Sequence, residues 1–316
     1  MPIRPPRLRF GDTIGIVAPG SPPADSTLIG SGIAALEKFG YKIKPGASIR
    51  KRNGFLAGND RERAADLMRM FTDNSVKAIF TLRGGYGTAR ILPLLDYKTI
   101  RENPKILVGY SDITSLHCAL LIHAGLISFH GPLSTEFSHD RLPTFTVDHL
   151  LRTIMDAKPS GSVCDGYNKK HIRVLRGGQA TGPLIGGNLS VLCTTIGTAY
   201  QPSFRGKILY LEDVGEPPYR FDRMLTHLLN VGLLQQVAGV AIGTNFACED
   251  PRAKTMREYR QTVDDVLKER LTPLRIPVVT GLPFGHVPHN ATLPVGARAM
   301  LDAKNGDLKI IQGAVE

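Results

Sequence analysis

The sequence predicts an α/β fold: a first domain built on a mostly parallel sheet with helices on both faces, and a smaller β-rich second domain. Three observations predict it. In the first half, short runs of Val, Ile and Leu alternate with stretches whose apolar residues recur at helical spacing. Gly- and Pro-rich turns close the apolar runs. In the second half helices thin out and short β-type runs take over. The change comes at Lys158-Pro-Ser-Gly161, after which the chain is polar and loop-like to about Lys170, so domains are expected over 1–160 and 161–316.

Taken in order, Thr13 to Ala18 reads as a strand that ends in the Pro19-Gly-Ser-Pro-Pro23 turn. A helix over Ile29 to Phe39 is closed by Gly40, and Tyr41 to Lys44 is a short strand. Asn59 and Asp60 are candidate caps for a helix over Arg61 to Phe71. Ala78 to Leu82 is a strand, Arg83-Gly-Gly-Tyr-Gly87 the loop at its end, and Ala89 to Leu95 a helix. Ile106 to Val108 is a buried strand that stops at Gly109. Behind it Ile113, Leu116, Leu120, Leu121 and Ala124 mark one face of a helix. Ile127 and Phe129 form a further short strand, and Val147 to Ala157 a helix. Beyond the boundary, strands are expected at Ile172–Leu175, Lys207–Leu211, Val237–Ile242, Val278–Thr280, Arg298–Asp302 and Lys309–Ile311, with helices at Phe221–Asn230 and Thr262–Leu271.

Composition narrows the function classes. The chain has 316 residues, 42% of them hydrophobic and 21% charged, which describes a globular protein with a sizeable core. The formal net charge is +11, but the basic residues are scattered and no nucleic-acid motif is present; a solvated basic face is expected, and no nucleic-acid partner. The four cysteines form no C-x-x-C pair and read as isolated thiols, so no metal site is expected. Met1 to Phe10 is basic without an apolar core behind it, and no run of about 18 apolar residues occurs. A cytoplasmic protein without a membrane partner is the expectation.

In open α/β sheets ligands bind at the carboxyl ends of the strands, where the Gly-rich turns of this chain fall. None of those turns matches a dinucleotide or phosphate-loop fingerprint. Ser111, in Gly109-Tyr-Ser-Asp112, lies in the sharp turn between strand and helix, where unpaired backbone N–H groups suit a developing oxyanion. It is a candidate nucleophile. Ser and Asp are equally the preferred N-caps, so this stretch alone supports both readings. Glu212 and Asp213 close the strand that starts at Lys207, placed either to orient a histidine or to cap a turn. His286 and His289 lie in a loop that Gly and Pro hold rigid, and His130 ends a strand and is a reserve candidate. Ser111, Glu212 and His286 together are the parts of Ser-His-carboxylate catalysis; spacing alone does not bring them together.

The chain resembles the LD-carboxypeptidases of the serine peptidase S66 type, the muramoyltetrapeptide carboxypeptidases. The resemblance runs over nearly the whole length through Gly11-Asp-Thr-Ile-Gly-Ile-Val-Ala-Pro-Gly-Ser21, Leu82-Arg-Gly-Gly-Tyr-Gly87, Gly109-Tyr-Ser-Asp112, Gly186-Gly-Asn-Leu-Ser190, Leu211-Glu-Asp213 with Tyr219-Arg-Phe-Asp-Arg223, and Gly285-His286. It implies Ser111 as nucleophile, Glu212 as the carboxylate, His286 as general base, and an oxyanion hole from the backbone N–H groups of Gly85 and Asp112. It implies an active site in the cleft between the two domains, and release of terminal D-alanine from murein tetrapeptide or a muropeptide during cell-wall recycling, by a homodimer that uses no cofactor. Arg83, Arg220 and Arg223 are candidates for binding the acidic substrate; equally, Arg83 braces its loop and the other two pair with Asp222 or Glu216. Inside the family the alternative is an immunity-type peptidase that cleaves antibiotic peptidyl-nucleotides, for which a stacking aromatic is expected and this chain has no Trp. Outside it, the alternative is a non-catalytic, two-lobed binding protein for small ligands.

Overall fold

The computed structural model describes residues 2–140 and 142–316, apart from the side chains of His139 and Asp140. Two sheets organise the chain. The first contains β1 (Thr13–Val17), β2 (Lys42–Pro45), β3 (Val76–Thr81), β4 (Ile106–Gly109) and β5 (Ser128–His130). The second contains β6 (Gly161–Ser162), β7 (Arg173–Arg176), β8 (Gln179–Asn188), β9 (Ile208–Glu212), β10 (Gly239–Ile242) and β11 (Val278–Thr280). Of the last three strands, β12 (Leu293–Val295) returns to the first sheet, and β13 (Arg298–Asp302) and β14 (Asp307–Ile310) complete the second.

The order in the first sheet is β12-β5-β4-β3-β1-β2, parallel except for β12, which pairs antiparallel with β5. Buried runs such as Ile106-Leu-Val108 suit a sheet covered on both sides. One face packs Ile14, Ile16, Phe80, Val108 and Phe129 against Ile29 and Leu36 of the helix Thr27–Lys38. The other packs Val17, Ile79 and Leu107 against Leu67, Phe71 and Leu116. The helix Asp60–Thr72 starts with the expected cap: Asn59 Oδ1 accepts the Glu62 N–H at 2.9 Å and Glu62 Oε2 accepts the Asn59 N–H at 2.9 Å.

The second sheet has the order β6-β14-β13-β8-β9-β10-β11-β7, with a parallel centre, β8 to β11, and antiparallel flanks. Its strands confirm the runs expected from the sequence to within a residue or two. Long β8 has no counterpart there, because Gly182, Pro183, Gly186 and Gly187 interrupt its apolar pattern. The single helix expected over Ala89–Leu95 is two short pieces, α over Thr88–Ile91 and 3-10 over Leu92–Leu94. Pro93, which has no N–H to donate, stands at the junction.

The ties between the two sheets include the following. Strand β12 pairs Leu293 with His130. The chain end pairs with the start, Arg7 N–H donating to Glu316 O at 2.9 Å and Glu316 N–H to Pro5 O at 3.1 Å. At the end of β8 the Asn188 N–H donates to Thr114 Oγ1 at 3.0 Å. Among the described residues no helix is long and apolar enough to cross a membrane.

Candidate active site

Ser111 stands just past β4, where the chain turns into a 3-10 turn, Ser111–Ile113, and the helix Thr114–Ala119. Its φ is +67°, a left-handed conformation that is uncommon for a residue with a Cβ. Such a turn carries its side chain outward from the sheet end, and Ser111 is only half-buried among fully buried neighbours. The opposite wall is the loop after β3. A Cβ on Gly84 would come within 2.8 Å of Ser111 Cβ and 3.1 Å of its Oγ, so glycine keeps the hydroxyl clear. Next to it Gly85 has φ +79°, and its N–H and that of Asp112 donate to no acceptor among the described residues. The Asp112 side chain faces inward, its Oδ2 accepting the Thr88 N–H at 2.8 Å, and burial raises its pKa. Asp112 therefore fixes the Gly-rich loop with its carboxylate.

Glu212 and His286 come from the second sheet. Glu212 closes β9 and is fully buried. His286 follows β11, in a loop tied down by the Gly285 N–H donating to Asn290 Oδ1 at 3.2 Å and the Thr244 N–H donating to Phe284 O at 3.0 Å. His286 Nδ1 and Glu212 Oε2 are 2.7 Å apart. A Cβ on Gly285 would lie 3.0 Å from both Cβ and Oε2 of Glu212, so glycine permits this approach. Burial lowers the His286 pKa, but the hydrogen bond and charge of Glu212 outweigh it and hold the imidazole above its ordinary value. With Nδ1 donating to the carboxylate, Nε2 is free to accept a proton. The neighbouring Asp213 bonds Asn188 Nδ2 and the Ser190 hydroxyl at 2.9 and 2.6 Å and fixes the strand ends.

The sheets meet at Tyr110, beside Ser111. Its ring lies edge-on to that of His286 with centroids 4.8 Å apart. Among the described residues no hydrogen bond joins Ser111 to His286; contacts of this kind often tighten only with substrate present. The reserve candidate His130 is buried beneath, against Tyr110 and Tyr210, and burial pushes its pKa well down. His289 packs on Phe145 and Tyr167, away from Glu212.

Arg83 and Arg220 make contacts of the structural kind weighed for them, whereas Arg223 pairs with neither Asp222 nor Glu216. Arg83 Nη1 donates to Pro22 O at 3.0 Å. Arg220 pairs with Glu216 at 3.1 Å, and Arg223 lies 5.4 Å from the centre of the Tyr219 ring. Tyr110, Thr114 and Glu136 are contacts that sequence reasoning missed. Tyr110 lies inside a quoted motif, but nothing in the sequence joins it to Glu136.

The chain matches the LD-carboxypeptidase N-terminal domain over residues 14–131 and the C-terminal domain over 181–301. It belongs to the LD-carboxypeptidase family. It is thus a serine-type carboxypeptidase, a hydrolase. A probable murein peptide carboxypeptidase of Bacillus subtilis is 36% identical, over 99% of this chain and 96% of that protein. The muramoyltetrapeptide carboxypeptidase of Oxalobacter formigenes superposes with a TM-score of 0.80 at 35% identity, covering 94% of this chain and 97% of that one. MccF, a microcin C7 self-immunity protein of Escherichia coli, is 29% identical over 96% of this chain and 94% of its own. MccF in complex with glutamyl sulfamoyl guanosine superposes with a TM-score of 0.88 at 26% identity, over the full length of both chains. In this LD-carboxypeptidase Ser111 lies in the first matched region, and Glu212 and His286 lie in the second.

Proposed function

We propose that this LD-carboxypeptidase releases terminal D-alanine from murein tetrapeptide in the cytoplasm, as a homodimer of two-domain subunits divided near residue 160, in a cleft between the domains. The observation that carries the reading is the 2.7 Å bond between His286 Nδ1 and buried Glu212, set one ring away from the strained Ser111 turn. Ser111 Oγ attacks the carbonyl of the penultimate residue while His286 Nε2 takes the hydroxyl proton. The N–H groups of Gly85 and Asp112 hold the oxyanion. Collapse breaks the C–N bond, His286 gives its proton to the leaving amine, and D-alanine departs from an acyl-enzyme. Water, deprotonated by His286, then frees Ser111. Glu212 keeps the ring in the required tautomer and stabilises the imidazolium.

The test is mass spectrometry of D-alanine release by wild type and Ser111→Ala. Loss of about four orders of magnitude or more in the variant is expected; unchanged release refutes the serine mechanism.

The likeness to MccF supports a second reading, an immunity-type peptidase acting on peptidyl-nucleotides. The chain has no Trp for a base to stack on, though Tyr219 and Phe246 are exposed aromatics. Cleavage of a peptidyl-adenylate in preference to murein tetrapeptide would favour this second reading.

A further inference from the structure

A cavity of 520 Å³ opens beside His286. Leu28, Leu142, Val214, Phe246 and Val287 make its walls largely apolar. Its hydroxyls are spent on the protein: Thr135 Oγ1 donates to Leu82 O at 2.9 Å, Ser138 Oγ to Thr135 O at 2.6 Å, and Tyr110 Oη to Glu136 Oε1 at 2.6 Å. Glu136 is the one carboxylate among the lining residues, and none of them is Lys or Arg.

Glu136 has no permanent cation beside it among the described residues: the cationic group whose charge reaches it is the imidazole of His286 in the same cavity, which is neutral whenever it is able to accept a proton. Glu136 Oε2 accepts the Leu133 N–H at 2.8 Å, so both of its hydrogen-bond donors are neutral. Among the described residues no lysine or arginine pairs with it. Burial raises its pKa, against the opposing effect of those two bonds and of the His286 charge. A carboxylate has about four acceptor positions, so two occupied ones leave room for another donor. Between apolar walls an ion pair is worth more than in water. Of the cationic groups a peptide carries, the protonated amine is the most compact, and it supplies both the missing charge and the missing donors.

We propose that Glu136 determines substrate specificity: the cavity takes a substrate side chain ending in a protonated amine, with the Glu136 carboxylate as its counter-ion. The proposal rests on the reading that the site cleaves peptides ending in D-alanine. That leaving group has only a methyl side chain, so the amine belongs to the residue that supplies the scissile carbonyl. The methylenes of such a side chain lie along the apolar walls, and its charged end meets Glu136.

The test is calorimetric titration of Ser111→Ala, which holds peptides uncleaved. Two tetrapeptides ending in D-alanine differ only in the penultimate residue, lysine or norleucine. The lysine peptide is expected to bind about tenfold or more tightly. Adding Glu136→Gln brings the ratio close to one, and adding Glu136→Asp, which keeps the charge, retains a preference for lysine. A general loss of structure weakens both peptides together and leaves the ratio unmoved. Equal binding by the Ser111→Ala parent overturns the proposal, and so does a lysine preference that survives Glu136→Gln. D-alanine release by wild type is read in parallel. Release without lysine preference in either assay removes the role of Glu136 and leaves the carboxypeptidase reading standing. Lysine-selective binding without release from either peptide supports Glu136 as the amine site and removes the D-alanine reading.

Discussion

At the scale of single residues, Ser111 carries two properties that mutation separates. Its left-handed φ of +67° costs on the order of 1 kcal/mol for a residue with a Cβ and nothing for glycine. Ser111→Gly and Ser111→Ala both remove the hydroxyl, so both should be inactive. Ser111→Gly, however, should melt a few degrees above Ser111→Ala, because only glycine relieves the backbone; equal melting temperatures would contradict the strain. His286 gives a prediction in pH. Its pKa stands above the ordinary value through Glu212, and a general base must be neutral, so kcat/KM should fall on acidification with a midpoint above about 6.5. Glu212→Gln removes the raising influence and leaves the burial that lowers the pKa. The acid limb should therefore move to lower pH while the plateau drops. A limb that stays in place would show that Glu212 does not set the titration. The same shift carries a stability sign: a raised histidine pKa stabilises the fold below the unfolded value, and that contribution is lost as pH rises through the folded value.

At the scale of elements, the strands and the residues at their ends were legible because buried parallel strands are short apolar runs that stop at glycine. Ile106–Gly109, just before Ser111, is of this kind; Ile208–Glu212 is a similar apolar run that stops instead at the carboxylates Glu212 and Asp213. What was not legible depends on contacts across the chain. Strand β8 is hidden by glycines whose use appears only in three dimensions: a Cβ on Gly186 would overlap the Tyr210 carbonyl, and one on Gly187 would overlap Thr114. Glu136, in a 3-10 helix without any motif, is visible only through Tyr110 and the cavity. The arginines, attractive as anchors for an acidic substrate, are engaged with a loop carbonyl, a glutamate and an aromatic ring. The β8 junction can be tested. Thr114→Val removes the acceptor of the buried Asn188 N–H while keeping the shape, which should cost about 1–3 kcal/mol by urea unfolding. A loss within about 0.3 kcal/mol would mean that the bond contributes nothing to the junction.

At the scale of the whole molecule, the first sheet borrows its edge strand from residues 293–295, and residue 316 pairs with residues 5 and 7. A fragment of residues 1–160 would expose the edge of β5, buried in the whole chain, and such edges invite association. It should aggregate or melt without a sharp transition, whereas the full chain melts cooperatively; a monomeric, sharply melting fragment would show the first region to be self-sufficient. The same threading has a consequence for biosynthesis. Ser111 leaves the ribosome long before His286, and the strand that seals its sheet follows His286. Pairings this distant in sequence form late in folding. On the proposed mechanism the growing polypeptide therefore carries a nucleophile without its base for most of translation, and hydrolytic power arrives only with the final segment.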